Sequence, residues 1–103
     1  MKEISDIKEF NSILENNKYV FVDFYAQWCG PCKKIAPYIE DLSLIYHDIK
    51  FIKVDIEANE NIEKMVNKMK IESIPTFILF KNGSEVGRIV GCSKDKIKDL
   101  LDI

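Results

Sequence analysis

A chain of 103 residues with 47 % hydrophobic content has the size of one domain and material for a core that needs neither metal nor disulfide staples. Charged residues make up 31 % but nearly cancel, leaving a formal net charge of -2, which argues against broad attraction to nucleic acid or an anionic membrane. No segment reaches the length of a membrane span, and the opening Met1-Lys2-Glu3-Ile4-Ser5-Asp6 lacks the apolar stretch of a secretory signal, so the expected location is cytoplasmic.

Taken in chain order, Ile4 suggests a short leading strand. Ile7, Phe10 and Leu14 then recur at helical spacing, with Ser5 as the expected N-cap. Tyr19 to Tyr25 is a nearly continuous apolar run of strand character, followed by a second helical pattern through Ile35, Ile39, Leu42 and Tyr46. Pro37 falls inside that helix and should bend it. Phe51 to Ile56 is the next strand, and with a long helix between them the two runs suit a parallel pair covered on both faces. A third helix is marked by Ile62, Met65, Val66 and Met69. Strands Thr76 to Lys81 and Val86 to Val90 flank Asn82-Gly83, residues that tolerate positive φ, so these two should form an antiparallel hairpin. Ile97, Leu100 and Leu101 give a fourth helix. Nothing divides the chain, and residues 1–103 read as a single α/β domain with a mixed sheet and helices on both faces.

Three cysteines, Cys29, Cys32 and Cys92, are an odd number in a chain without an export signal, which favours reduced thiols over a disulfide framework. Cys29 and Cys32, two residues apart between a strand and a helix, close into a small reversible ring. If the helix starts near Pro31, its unpaired amides and positive dipole end face Cys29 and favour the thiolate. The competing reading is half of a zinc site. Beyond this pair, however, the chain offers only Cys92, the single His47 and carboxylates, with no second paired arrangement. No metal and no cofactor are expected.

Val22-Asp23-Phe24-Tyr25-Ala26 leads into Trp28-Cys29-Gly30-Pro31-Cys32-Lys33, followed by Lys53-Val54-Asp55, Ile74-Pro75-Thr76, Phe80-Lys81-Asn82-Gly83 and Gly91. In these blocks, in this order, the chain resembles the thioredoxin family over essentially its whole length. The resemblance implies the thioredoxin fold, a five-stranded mixed central sheet flanked by four helices, with the first cysteine exposed and the second shielded. It implies protein-disulfide reduction in cell redox homeostasis: Cys29 attacks a substrate disulfide and Cys32 resolves the mixed disulfide. NADPH-dependent thioredoxin reductase would recycle the protein, and peroxiredoxins or ribonucleotide reductase are substrates of the expected kind.

The other site residues each have a plainer reading. Asp23 interrupts an apolar strand, where a carboxyl either pairs or takes a raised pKa; the resemblance makes it the acceptor of the resolving thiol's proton. Lys53 reads either as an edge-strand lysine reaching water or, by resemblance, as the cation that tunes Asp23. Pro75 suits the first residue of a strand, whereas the resemblance makes it a cis proline facing the dithiol, with the Ile74 backbone free to pair with substrate. Trp28 and Gly91, which composition alone would leave as core and strand end, become the rim of a flat docking patch that also includes Gly30 and Pro31.

Cys92, after Gly91, is either a small buried hydrophobe or an exposed thiol within reach of substrate or of a second copy's Cys92. The expected state is a monomer, with a Cys92-linked dimer as the alternative. His47 and Gln27 read as solvated surface. An oxidase or isomerase is disfavoured by Pro31, where such relatives usually carry histidine; a scaffold with an incidental dithiol is the reading from outside the enzymes.

Overall fold

The structure, a computed structural model, describes residues 1–102; Ile103, the last residue of the expected domain, lies outside the described residues. Five strands, β1 (Lys2–Glu3), β2 (Tyr19–Tyr25), β3 (Ile49–Asp55), β4 (Thr76–Lys81) and β5 (Ser84–Val90), form one sheet in the order β1-β3-β2-β4-β5. The first three run parallel to one another, and β4 and β5 are antiparallel to their neighbours. Four helices connect them: α1 (Ile7–Asn16), α2 (Gly30–Ile45), α3 (Glu60–Lys68) and α4 (Lys94–Leu101).

Strand parity decides which helix each residue meets. Val20, Val22, Phe24, Ile52 and Val54 pack with Phe10 of α1 and Ile62 and Val66 of α3. Phe21, Phe51, Phe77 and Leu79 take the other face, against Ile35, Ile39 and Leu42 of α2 and Ile97 and Leu101 of α4. Asp23 shares the parity of Phe21 and therefore lies on the α2 face, next to Lys53 in the β2–β3 register. A single polar residue among apolar ones is thus carried directly under the helix that bears the cysteines.

The hairpin turns on Asn82 (φ 51°) and Gly83 (φ 83°), the positive-φ pair the sequence predicts. Some expected boundaries move. The N-cap of α1 is Asp6, not Ser5, and its side chain makes no capping bond; the Ser5 carbonyl instead accepts a 2.7 Å bond from Asn59 at the start of α3. Ile4 lies just past β1, yet its N–H extends the ladder by donating to the Lys53 carbonyl at 2.9 Å. Lys53 consequently sits between two paired strands and is not the edge lysine of the plainer reading. α2 continues through Pro37 to Ile45.

Candidate active site

β2 ends at Tyr25, the chain turns through Ala26, Gln27 and Trp28, and Cys29 caps α2. The turn is held by the Cys29 N–H on the Ala26 carbonyl at 3.1 Å. Cys29 and Cys32 form a disulfide with Cα atoms 5.3 Å apart, spacing suited to such a bond. The Cys32 N–H points at the Cys29 sulfur at 3.2 Å. This is the capping bond of a helix N-terminus with sulfur as acceptor, and it favours charge on Cys29 once the disulfide opens. Both cysteines are buried, at 4 % and 5 % exposure. The expected contrast between an exposed first cysteine and a shielded second is therefore not a contrast in area. In the oxidised ring the two cysteines form one buried cluster with Ala26, against which Tyr25, Ile56 and Ile74 pack, and the difference lies in what each cysteine faces.

Cys29 opens onto an outer groove of about 540 Å³ walled by Trp28, Pro31, Ile56, Ile71, Glu72 and Ile74. Trp28 is 67 % exposed, and its indole N–H donates to Glu57 at 2.7 Å, a bond that anchors a large apolar ring on the wall of the groove. Ile74–Pro75 is cis, as expected. The β2–β4 ladder starts only at Thr76, leaving the Ile74 backbone outside it. The Pro75 carbonyl accepts from Gly91 N–H at 2.9 Å, and Gly91 adopts φ 98°, which a side chain would strain. Cys92 is exposed on this rim, its thiol 3.7 Å from the Pro31 carbonyl. Partial burial, and secondarily the charge of Asp23, hold that thiol above its ordinary pKa.

Cys32 faces inward, onto a cavity of about 180 Å³ that it shares with Asp23, Tyr25, Lys53, Ala36 and Glu40. Asp23 is 5 % exposed, and among the described residues its Oδ1 has no hydrogen-bond partner. Burial pushes its pKa from 3.8 up to about 7, against the pull of Lys53 and with a further push from Glu40. A carboxyl with that value exchanges a proton readily near neutral pH. The Lys53 ammonium lies 5.7 Å from the Tyr25 ring centroid, at cation–π range, while the Tyr25 hydroxyl bonds Glu3.

Sequence reasoning did not single out Tyr25, Glu40, Glu57 or Glu72 as site residues. A signal existed for two of them. Cys32, Ala36 and Glu40 are spaced four apart and stack on one face of α2, and Tyr25 shares the strand parity of Asp23. Gln27 received no role, yet its amide donates to Asp55 at 3.4 Å. His47 is exposed, and no cluster of three or more metal-ligating side chains occurs among the described residues.

A strand-to-helix dithiol, backed by a buried acid and faced by a cis proline on a mixed five-stranded sheet, defines a thiol–disulfide oxidoreductase. The comparisons with known proteins give the family. The thioredoxin family model matches residues 2–102. Thioredoxin 1 of Plasmodium falciparum is 41 % identical over 102 residues, covering 99 % of this chain and 95 % of the relative; a solved thioredoxin structure from that organism superposes with a TM-score of 0.92 over 99 % of this chain and 97 % of the other. Thioredoxin-1 of Schizosaccharomyces pombe is 42 % identical, covering 95 % and 92 %. A structure described in terms of thiol resolution in a yeast mitochondrial 1-Cys peroxiredoxin via glutathione/thioredoxin systems matches at 28 % identity, with a TM-score of 0.89 and coverage of 98 % and 92 %. The chain belongs to the thioredoxin family. It is a protein-disulfide reductase with the Cys29–Cys32 dithiol/disulfide pair at its active site.

Proposed function

We propose a two-step exchange in which Cys29 and Cys32 have separate tasks. The Cys29 thiolate attacks one sulfur of a substrate disulfide, forming a mixed disulfide and releasing the other sulfur as a thiolate that takes a proton from water. Cys32 then loses its proton to Asp23 and attacks the Cys29 sulfur, which forms the Cys29–Cys32 disulfide and releases the second substrate thiolate. Two electrons pass to the substrate. The observation that carries this reading is the division of the pair between two spaces: Cys29 lines the outer groove and Cys32 the cavity of Asp23. Trp28, Gly30, Pro31, Ile74, Pro75 and Gly91 form the surface on which an extended substrate segment docks, with the Ile74 backbone as its pairing edge. With NADPH and a thioredoxin reductase, the protein should turn over insulin disulfides catalytically; stoichiometric consumption without turnover would contradict the assignment.

Lys53 acts by its charge on Asp23. Because that cation lowers the Asp23 pKa, and Asp23 takes the Cys32 proton only as a carboxylate, Lys53→Met should move the acid limb of the reductase pH profile upward, by about 0.5 pH unit for one partly solvated charge. An unmoved profile removes Lys53 from the mechanism.

Thioredoxin reductase and disulfide-bearing proteins are the family's partners. For this chain a peroxiredoxin is the substrate best supported, through the yeast structure, with ribonucleotide reductase of the same chemical kind. We place the protein in the cytoplasm, as one domain over 1–103, where Cys92 stays reduced. Its raised pKa makes Cys92 a slow nucleophile at pH 7, so the working form is a monomer and a Cys92-linked dimer is a product of oxidation. Diamide treatment followed by non-reducing gels should give a dimer that Cys92→Ser abolishes; an oxidised protein that stays monomeric eliminates the dimer.

A further inference from the structure

The outer groove carries a charge that disulfide exchange does not require. Besides Cys29, Glu72 is the ionisable residue among those lining it. Glu72 is exposed, and no ion pair engages it among the described residues. Glu57, which accepts from the Trp28 indole, and Asp55, which accepts from Gln27 and from the Glu57 N–H, carry the same sign of charge as Glu72 and supply it no counter-charge. The cations on adjoining elements are also absent from the lining. Arg88 is committed to Glu85 and to the carbonyls of Met69 and Lys70, and Lys70 itself lies in the turn after α3 without lining the groove.

A segment laid along the groove covers Trp28, Ile56 and Ile74 and strips water from Glu72. An acidic or neutral segment leaves that carboxylate unpaired in a drier setting, which is costly, whereas a basic side chain pairs it. We propose that Glu72 selects among substrates of this reductase, favouring extended segments that carry lysine or arginine close to the disulfide cysteine. This rests on the reductase reading and adds a substrate class to it. The dithiol supplies the chemistry, and Glu72 discriminates by charge on the encounter.

The test uses pre-reduced protein without a recycling enzyme, mixed with three peptide disulfides that differ only in bearing Lys, Gln or Glu two residues from the cysteine. Second-order rate constants for oxidation of the protein should be about tenfold higher for the Lys than for the Glu peptide at low ionic strength, with Gln between them, and the ratio should shrink toward unity in 1 M NaCl. Glu72→Gln should flatten the ratio and Glu72→Lys should invert it. Because each ratio is taken within one protein, it is insensitive to any loss of folded material. A native ratio within twofold of unity, or one that both substitutions leave unchanged, overturns the proposal. If no peptide oxidises the reduced protein, the reductase reading itself fails, and this proposal with it.

Discussion

Replacing Cys29 by serine should lower the rate of insulin-disulfide reduction by at least about 10³-fold, to the uncatalysed background. The hydroxyl is close in size but stays protonated at neutral pH, so it cannot deliver the electron pair that opens a substrate disulfide. No other thiol takes its place. Cys32 is turned to the inner cavity and lacks the outer groove, and burial keeps the Cys92 thiol largely protonated at pH 7. The coupled NADPH assay checks this, with circular dichroism to confirm that the variant is folded. A variant within tenfold of the native rate would show that another group attacks substrate.

Asp23→Ala should make the oxidised protein more stable and the enzyme slower, two effects with one origin. A carboxyl whose pKa rises from 3.8 to about 7 on folding is penalised when ionised, by an upper figure of about 4 kcal/mol. The sign follows from the raised value. The penalty is absent below pH 3.8, grows as pH rises through the interval up to 7, and is complete above it. Native stability should therefore fall across that window, while the alanine variant should show no such fall. In urea titrations the variant should gain a few kcal/mol at pH 8 and nothing at pH 4; equal gains at both values would mean that Asp23 is not titrating in the fold. Release of substrate from the mixed disulfide should slow by roughly 100-fold at pH 7, the lower end for a lost acid–base group.

The two covered faces of the sheet were legible because the nearly continuous apolar runs at Tyr19 to Tyr25 and Phe51 to Ile56, and helical spacing in the four helices, are local patterns that the tertiary structure leaves intact. The hairpin at Asn82-Gly83 was equally plain, since its backbone demands those residue types. Asp23 stood out for the opposite reason, as a local violation of an apolar strand that only function explains. The sequence did not reveal what depends on three-dimensional neighbours. Ser5 looked like a cap until its carbonyl proved to serve Asn59. Lys53 kept a plainer reading as an edge residue because the short leading strand suggested by Ile4 carries no sign of which strand it pairs with, and β1 covers Lys53 only in the folded sheet. Glu57 and Glu72 lie in irregular segments where no period announces them, and they acquire meaning only beside Trp28 and the groove.

The division of labour between the cysteines is the core of the mechanism, and trapping tests it most directly. Reduced Cys32→Ser protein mixed with a peptide disulfide should stop at the mixed disulfide, because the resolving sulfur is gone, and peptide mass mapping should find the substrate half attached to Cys29 in nearly every molecule. Attachment chiefly at Cys92, or full release of both substrate thiols by this variant, would contradict the assignment.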